Sequence, residues 1–246
     1  MRKPALFAAA ILLSVSSVFA QASGGASANG TDKNFHFGLN VMPGLFFAVP
    51  GSSNTTGSTT IANSANGAGF GFGYGVNLEF YFTQNYGLAT GIEVNQFGVN
   101  YTNITTVKSG TVTDSSINTA HVQSMQYLQI PLLLKLRTNA IGPIKYFGQF
   151  GLGTGFLLSA KDNPTETRTV GATTFPASTT SNNNIYKQSD FIRLGLNVGL
   201  GMEYSLAGST SIQVSLNYDN AFTNVNSDGN NSVLAKGVTL VVGVLF

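Results

Sequence analysis

The stretch Gly69–Phe82, "GFGFGYGVNLEFYF", carries two alternating residue classes. Phe70, Phe72, Tyr74, Val76, Leu78, Phe80 and Phe82 hold the even positions. Gly69, Gly71, Gly73, Gly75, Asn77 and Glu79 hold the odd ones, and only Tyr81 departs. On a helix, residues two apart would scatter around the cylinder; on a strand they line one face. The stretch therefore predicts a strand, and a long one. From Phe70 it reaches ~43 Å at about 3.3 Å per residue. Tilted by ~40°, it covers roughly 33 Å, enough for the hydrocarbon core of a bilayer.

The same period recurs seven more times. Phe35, Phe37, Leu39, Val41, Leu45 and Phe47 oppose His36, Gly38, Asn40, Met42 and Gly44. Further segments start at Tyr86, Leu128, Tyr146, Ile192 and Ile212, and the last runs from Val238 to Phe246. Long connections are expected at 49–68, 102–121, 161–187 and 223–235, rich in Ser, Thr, Asn and Gly. Short ones are expected at 83–85, 138–143 and 206–209. Short turns on one side and long loops on the other, with an even strand count, describe a transmembrane barrel. The expected fold is all-β: an eight-stranded antiparallel up-and-down transmembrane β-barrel.

A soluble barrel or sandwich would put the apolar face inside. Size argues against it, because an eight-stranded barrel is only just wide enough to hold side chains. Seven bulky residues per strand would not fit. Glycines with a few long polar residues would, so the aromatics are expected to meet lipid and the glycines the lumen.

Only 9% of the 246 residues are charged, against about 25% in soluble domains. There is no Cys, so no disulfide or thiolate metal site exists. The N-terminus "MRKPALFAAAILLSVSSVFAQAS" pairs Arg2 and Lys3 with a short apolar run and small residues before Gln21. This predicts a secretory signal peptide over 1–20, its apolar run too short to span a membrane. A linker over 21–34 and the barrel over 35–246 complete the expected organisation. Loss of Arg2 and Lys3 lowers the basic count from 12 to 10, equal to the 10 acids. The mature chain is neutral, and no nucleic-acid partner is indicated.

Parity places Glu79, Glu93, Glu203, Asp219, Lys135, Arg137, Lys145 and Arg193 in the lumen. Unpaired ions there would carry a heavy desolvation cost, so a sealed interior held by an ion network is expected. A gated or selective channel built on the same charges is the competing reading. Lys145 and Arg137 are the two nearest the headgroup zone on the turn side. Pro43 and Pro131 each remove a ladder hydrogen bond and predict bulges or weak pairing. Between Val94 and Phe97 the apolar phase flips from even to odd, which predicts another bulge. With no Trp, the aromatic girdle falls to Tyr74, Tyr81, Tyr86, Tyr101, Tyr146, Tyr204 and Tyr218.

The motifs "YLQIPLLLKLR", "GPIKYFGQFGLGTGFLL" and "DFIRLGLNVGLGMEY", with a terminal strand ending in Phe246, resemble the PorT-like outer-membrane β-barrel family of Bacteroidota. Members of that family typically carry an acidic residue where Gln129 stands. The resemblance implies residence in the outer membrane of a Gram-negative bacterium. It also implies insertion by the barrel-assembly machinery, with the C-terminal aromatic Phe246 as its recognition feature. One branch of the family assists protein secretion.

His36 and His121 are the only histidines, and no nucleophile elbow or spaced hydrolase constellation accompanies them. "NSDGNN" around Asp228 lacks the spacing and terminal Glu of a calcium loop. The Gly-rich runs open no helix, so they are not nucleotide loops. The expected protein is non-enzymatic and monomeric, with no cofactor. Its partners would be outer-membrane lipids and a protein met through the long loops; a solute channel or a lipid-modifying enzyme are the alternatives.

Overall fold

In a computed structural model the described residues are 34–110, 112–206, 208–226 and 232–246. The expected signal peptide, the linker up to residue 33 and Asp228 lie outside them. Eight long strands run β1 (Phe35–Pro50), β2 (Ala68–Tyr81), β3 (Tyr86–Ser109), β4 (Val112–Arg137), β5 (Ile144–Asp162), β6 (Ile192–Ser205), β7 (Ser211–Asn224) and β8 (Val233–Leu245). Each pairs antiparallel with its neighbour in sequence, and β8 pairs with β1, closing the ring. The stretch that opened the sequence reading is β2.

The register sets the stagger of the barrel. From His36, successive partners are Glu79, Ala89, Leu133, Gly151, Asn197, Asp219 and Gly237, and the last of these pairs with Phe46. One circuit thus returns to β1 ten residues further along, from 36 to 46. A shear of this size on eight strands goes with a tilt of about 40° and a lumen filled by side chains.

The face assignment holds along the strands. Phe70, Phe72, Tyr74, Phe80, Leu132, Phe150, Leu200 and Leu240 are all exposed outward, while Glu79, Lys135, Arg193 and Glu203 are buried inward. Gly71 shows why one face carries glycine. A Cβ there would stand 2.5 Å from the ring of Phe46 on the neighbouring strand β1. Gly71→Val is therefore expected to lower unfolding stability by ~1–3 kcal/mol through overpacking. Gly148→Ala, whose new methyl would meet only Leu200 at 3.4 Å, should change little; urea titration of the detergent-folded protein checks both.

Three expectations are corrected and one, that for the prolines, is narrowed to weak pairing. First, 102–121 is not a loop. β3 and β4 stay paired from Tyr101↔His121 out to Ser109↔Val112. Thr59–Ala65 adds to β3 and Thr165–Val170 to β4, with short strands Asn54–Thr56 and Ser178–Thr179 outside these. Beyond the membrane neither face has to be apolar, so alternation vanishes while β-branched residues still favour strand.

Second, no bulge lies between Val94 and Phe97: the registers of β3 with β2 and with β4 run through it unshifted. Odd positions stay inward, and Phe97, Val99 and Tyr101 are buried in the lumen. What changes is polarity, as the lumen becomes apolar and the outer face (Gln96, Asn100) turns polar. A real register shift sits between β4 and β5 instead, where Leu157 pairs Tyr127 and Ser159 pairs Gln126, leaving Leu158 as the extra residue.

Third, Pro43 and Pro131 weaken pairing without bulging. Partners are missing beside them, yet the register on either side is unchanged. Fourth, Tyr81 and Tyr101, each 2% exposed, belong to the lumen and not the girdle. Tyr86, Tyr146 and Tyr204 remain exposed at the turn end beside Phe35, Phe80, Phe82 and Phe246.

Candidate functional site

The lumen is layered. At the turn end, Lys135 on β4 is fully buried, its Nζ 2.7 Å from Glu79 Oε1 on β2 and 2.6 Å from Glu203 Oε1 on β6. Gln213 Oε1 accepts a hydrogen bond from the same Nζ at 3.1 Å, and the ring of Phe147 lies 4.1 Å below it. Tyr81 donates its hydroxyl to Glu79 Oε2 at 2.8 Å. The Arg137 guanidinium stacks 3.7 Å over the Tyr81 ring, comes within 3.9 Å of Glu203, and donates through Nε to the Gln84 carbonyl. Two acids and two bases thus meet across the axis. Fixed hydrogen bonds offset part of their desolvation.

Towards the loop end, Arg193 on β6 makes a bidentate pair with Asp219 on β7, at 2.8 and 2.9 Å. Its second terminal nitrogen also donates to the Ala235 carbonyl. Fork-to-carboxylate geometry of this kind is the strong form of ion pair. Above it the lumen is apolar. Phe46, Phe97 and Tyr127 stack in series, with centroids 4.4 and 5.8 Å apart, and Val99, Met125, Leu157, Ile185, Val225 and Val233 pack around them.

Between the two ionic layers lies a cavity of about 70 Å³, lined by Glu93 and by amide side chains that include Asn40, Asn77, Asn95, Gln129 and Asn197. The eight ions expected inside therefore do not form one network. Six divide into two groups, Glu79, Lys135, Glu203 and Arg137 at the turn end and Arg193 with Asp219 towards the loops. Glu93 stands alone in the middle. Lys145 is half-buried at the turn-side rim, opposite Glu203 in the register. The division follows from the ten-residue stagger, which sets which distant residues share a level.

Sequence reading missed Tyr81, Gln213 and the apolar layer. Only the odd parity of Tyr81, Phe97, Tyr101 and Tyr127 signalled them. His36 lies edge-on to Tyr81, with centroids 5.7 Å apart. His121 Nδ1 stands 2.7 Å from Asp162 Oδ2, and its ring stacks on Tyr101. Among the described residues no serine hydroxyl is hydrogen-bonded to His121 or Asp162. Phe246 stacks on Phe37 at 5.3 Å, and its N–H donates to the Phe37 carbonyl at 2.8 Å, at the β8–β1 seam.

A family model described as "Outer membrane protein beta-barrel domain" matches residues 19–191. No curated protein matches the sequence. Solved structures that resemble the chain include Neisserial surface protein A, at 12% identity and a TM-score of 0.40, covering 87% of this chain and 96% of that one. The outer membrane protein AlkL in lipid bilayers is 9% identical with a TM-score of 0.42, covering 90% and 93%. OprG from Pseudomonas aeruginosa is 14% identical with a TM-score of 0.33, covering 85% and 95%. At these identities and scores the likenesses are distant.

Proposed function

Because the chain belongs to the outer membrane protein β-barrel domain family, we propose that it is a sealed, non-enzymatic barrel that displays a rigid polar sheet outside the cell. It is an integral protein of the outer membrane of a Gram-negative bacterium. The observation that carries the reading is the continuation of β3 and β4 beyond the membrane, flanked by Thr59–Ala65 and Thr165–Val170 as one hydrogen-bonded sheet. Cross-strand Thr pairs (Thr55 with Thr60, Thr165 with Thr179, Thr169 with Thr174) stitch its outer strands at 3.0–3.1 Å. A recognition surface built on paired strands loses less entropy on binding than free loops would.

Its partner is a protein met outside the cell. Within the family we read the chain as PorT-like on "YLQIPLLLKLR", and a secretion-associated role accords with that resemblance. Phe246 is the feature the barrel-assembly machinery reads. A closed ring leaves no free strand edge in the membrane, which supports a monomer.

Sealing is supported by two ionic layers and an apolar layer stacked along one axis. The purified barrel in a planar lipid bilayer should pass no discrete current. Steady unitary currents from the wild-type protein would replace this reading with transport of a small solute.

A further inference from the structure

Of the four acids that parity puts in the lumen, Glu79, Glu203 and Asp219 each have a Lys or Arg neighbour, and Glu93 does not. Glu79 and Glu203 share Lys135, Glu203 also faces Arg137, and Asp219 holds Arg193. Among the described residues no Lys or Arg nitrogen lies within 4.0 Å of the Glu93 carboxylate. Its hydrogen-bond partners are neutral amides: Asn95 Nδ2 at 3.5 Å, and Asn40. The cations nearest in the lumen are already engaged. Lys135 is held by two carboxylates and Gln213, and both terminal nitrogens of Arg193 by Asp219 and Ala235.

Glu93 projects into the central cavity across Gly75, with Asn40 on the other side of that glycine in the register. The cavity of about 70 Å³ has room for roughly two water molecules at ~30 Å³ each. Two amide oxygens on its wall, Asn40 Oδ1 and Asn77 Oδ1, are buried and accept no hydrogen bond, and the amide nitrogen of Asn197 there donates none, leaving it for water. A charge at this depth is costly unless something neutralises it, and orphaned acceptors add to the cost. A small positively charged group in the cavity would meet both deficits at once. One carboxylate with neutral oxygens suits a single charge; divalent sites gather several carboxylates. No group of three or more His, Cys, Asp or Glu able to hold a metal occurs among the described residues.

We propose that the central cavity binds one monovalent alkali cation. Glu93 supplies the countercharge, Asn40 and Asn77 supply carbonyl oxygens, and water completes the shell. The layers on either side, Arg193 with Asp219 and Lys135 with Arg137, Glu79 and Glu203, are each balanced in charge, so neither competes for the ion. The site balances the charge of Glu93 without a further Lys or Arg beside it. It goes beyond the display reading and does not depend on it, since conductance tests that reading and stability tests this one.

The test compares unfolding of the detergent-folded protein in NaCl, KCl and choline chloride at equal ionic strength and pH. Choline is too bulky for the amide-lined cavity. The wild-type midpoint should be higher in Na⁺ or K⁺ than in choline and should climb with the logarithm of cation concentration, as for any ligand of the folded state. Glu93→Gln, which keeps the shape and removes the charge, should lose that difference entirely. Asn40→Ala should need a several-fold higher concentration for the same shift. Equal wild-type midpoints in all three salts would overturn the proposal, whether or not the variants fold. A cation effect that persists in Glu93→Gln would overturn it too.

Discussion

Leu200→Arg should sharply reduce the folded barrel in the membrane. Among the described residues Leu200 is the most exposed large apolar side chain, at 71%, and sits on the lipid face of β6 four residues from the girdle residue Tyr204. Four residues on a strand tilted by ~40° place it about 10 Å inside the turn-side boundary. An arginine there costs roughly 2–4 kcal/mol against lipid, before any effect on assembly. The neighbouring Gly199 supplies the control. A Cβ at Gly199 would meet the Asn217 side chain and approach Gln149 Cγ at 3.1 Å, so Gly199→Arg crowds the lumen but meets no lipid. The fraction that migrates as a compact band on unheated gels, and the urea midpoint of what folds, should fall much further for Leu200→Arg. Equal loss at both positions would contradict the inside-out arrangement.

Lys135→Ala is expected to be the most damaging luminal change. The ammonium is wholly buried and stands between two carboxylates, with Glu79 and Glu203 both within 2.7 Å. Removing it leaves two buried acids facing each other, with Arg137 only 3.9 Å from one of them. Breaking one side of a buried ion pair typically costs ~3–5 kcal/mol, most of it from the stranded partner. Lys135→Met combined with Glu79→Gln should recover most of the loss, because Glu203 keeps Arg137 as its partner and no ion is left stranded. Urea unfolding of the single and double variants measures both effects. A harmless Lys135→Ala would mean that these acids are solvated from the turn side.

The residues show unevenly how much of this could be read in advance. Parity alone puts Glu79, Lys135, Arg193, Glu203 and Asp219 on the inner face, and all five are buried. Parity said nothing of who meets whom. Lys135 reaches Glu79 from 56 positions away and Gln213 from 78, contacts that no local pattern encodes. Phe97 and Tyr101 show the opposite failure. Their position was legible, but an apolar residue on the inner face looked like a slipped strand because the whole lumen was expected to be polar.

Sequence alone determined the face each strand turns to lipid, the number of long strands and the inward direction of the ions. A two-residue period is a property of the backbone, and a bilayer rewards it over some 30 Å with no help from distant residues. Beyond the bilayer that constraint ends, and the 102–121 region read as a loop although it is strand. Only the closed structure decided the grouping of the charges, the apolar layer above them and the solitary position of Glu93. Those depend on a ten-residue stagger accumulated over eight pairings, and register is set by the closure of the ring and not by any one of its strands.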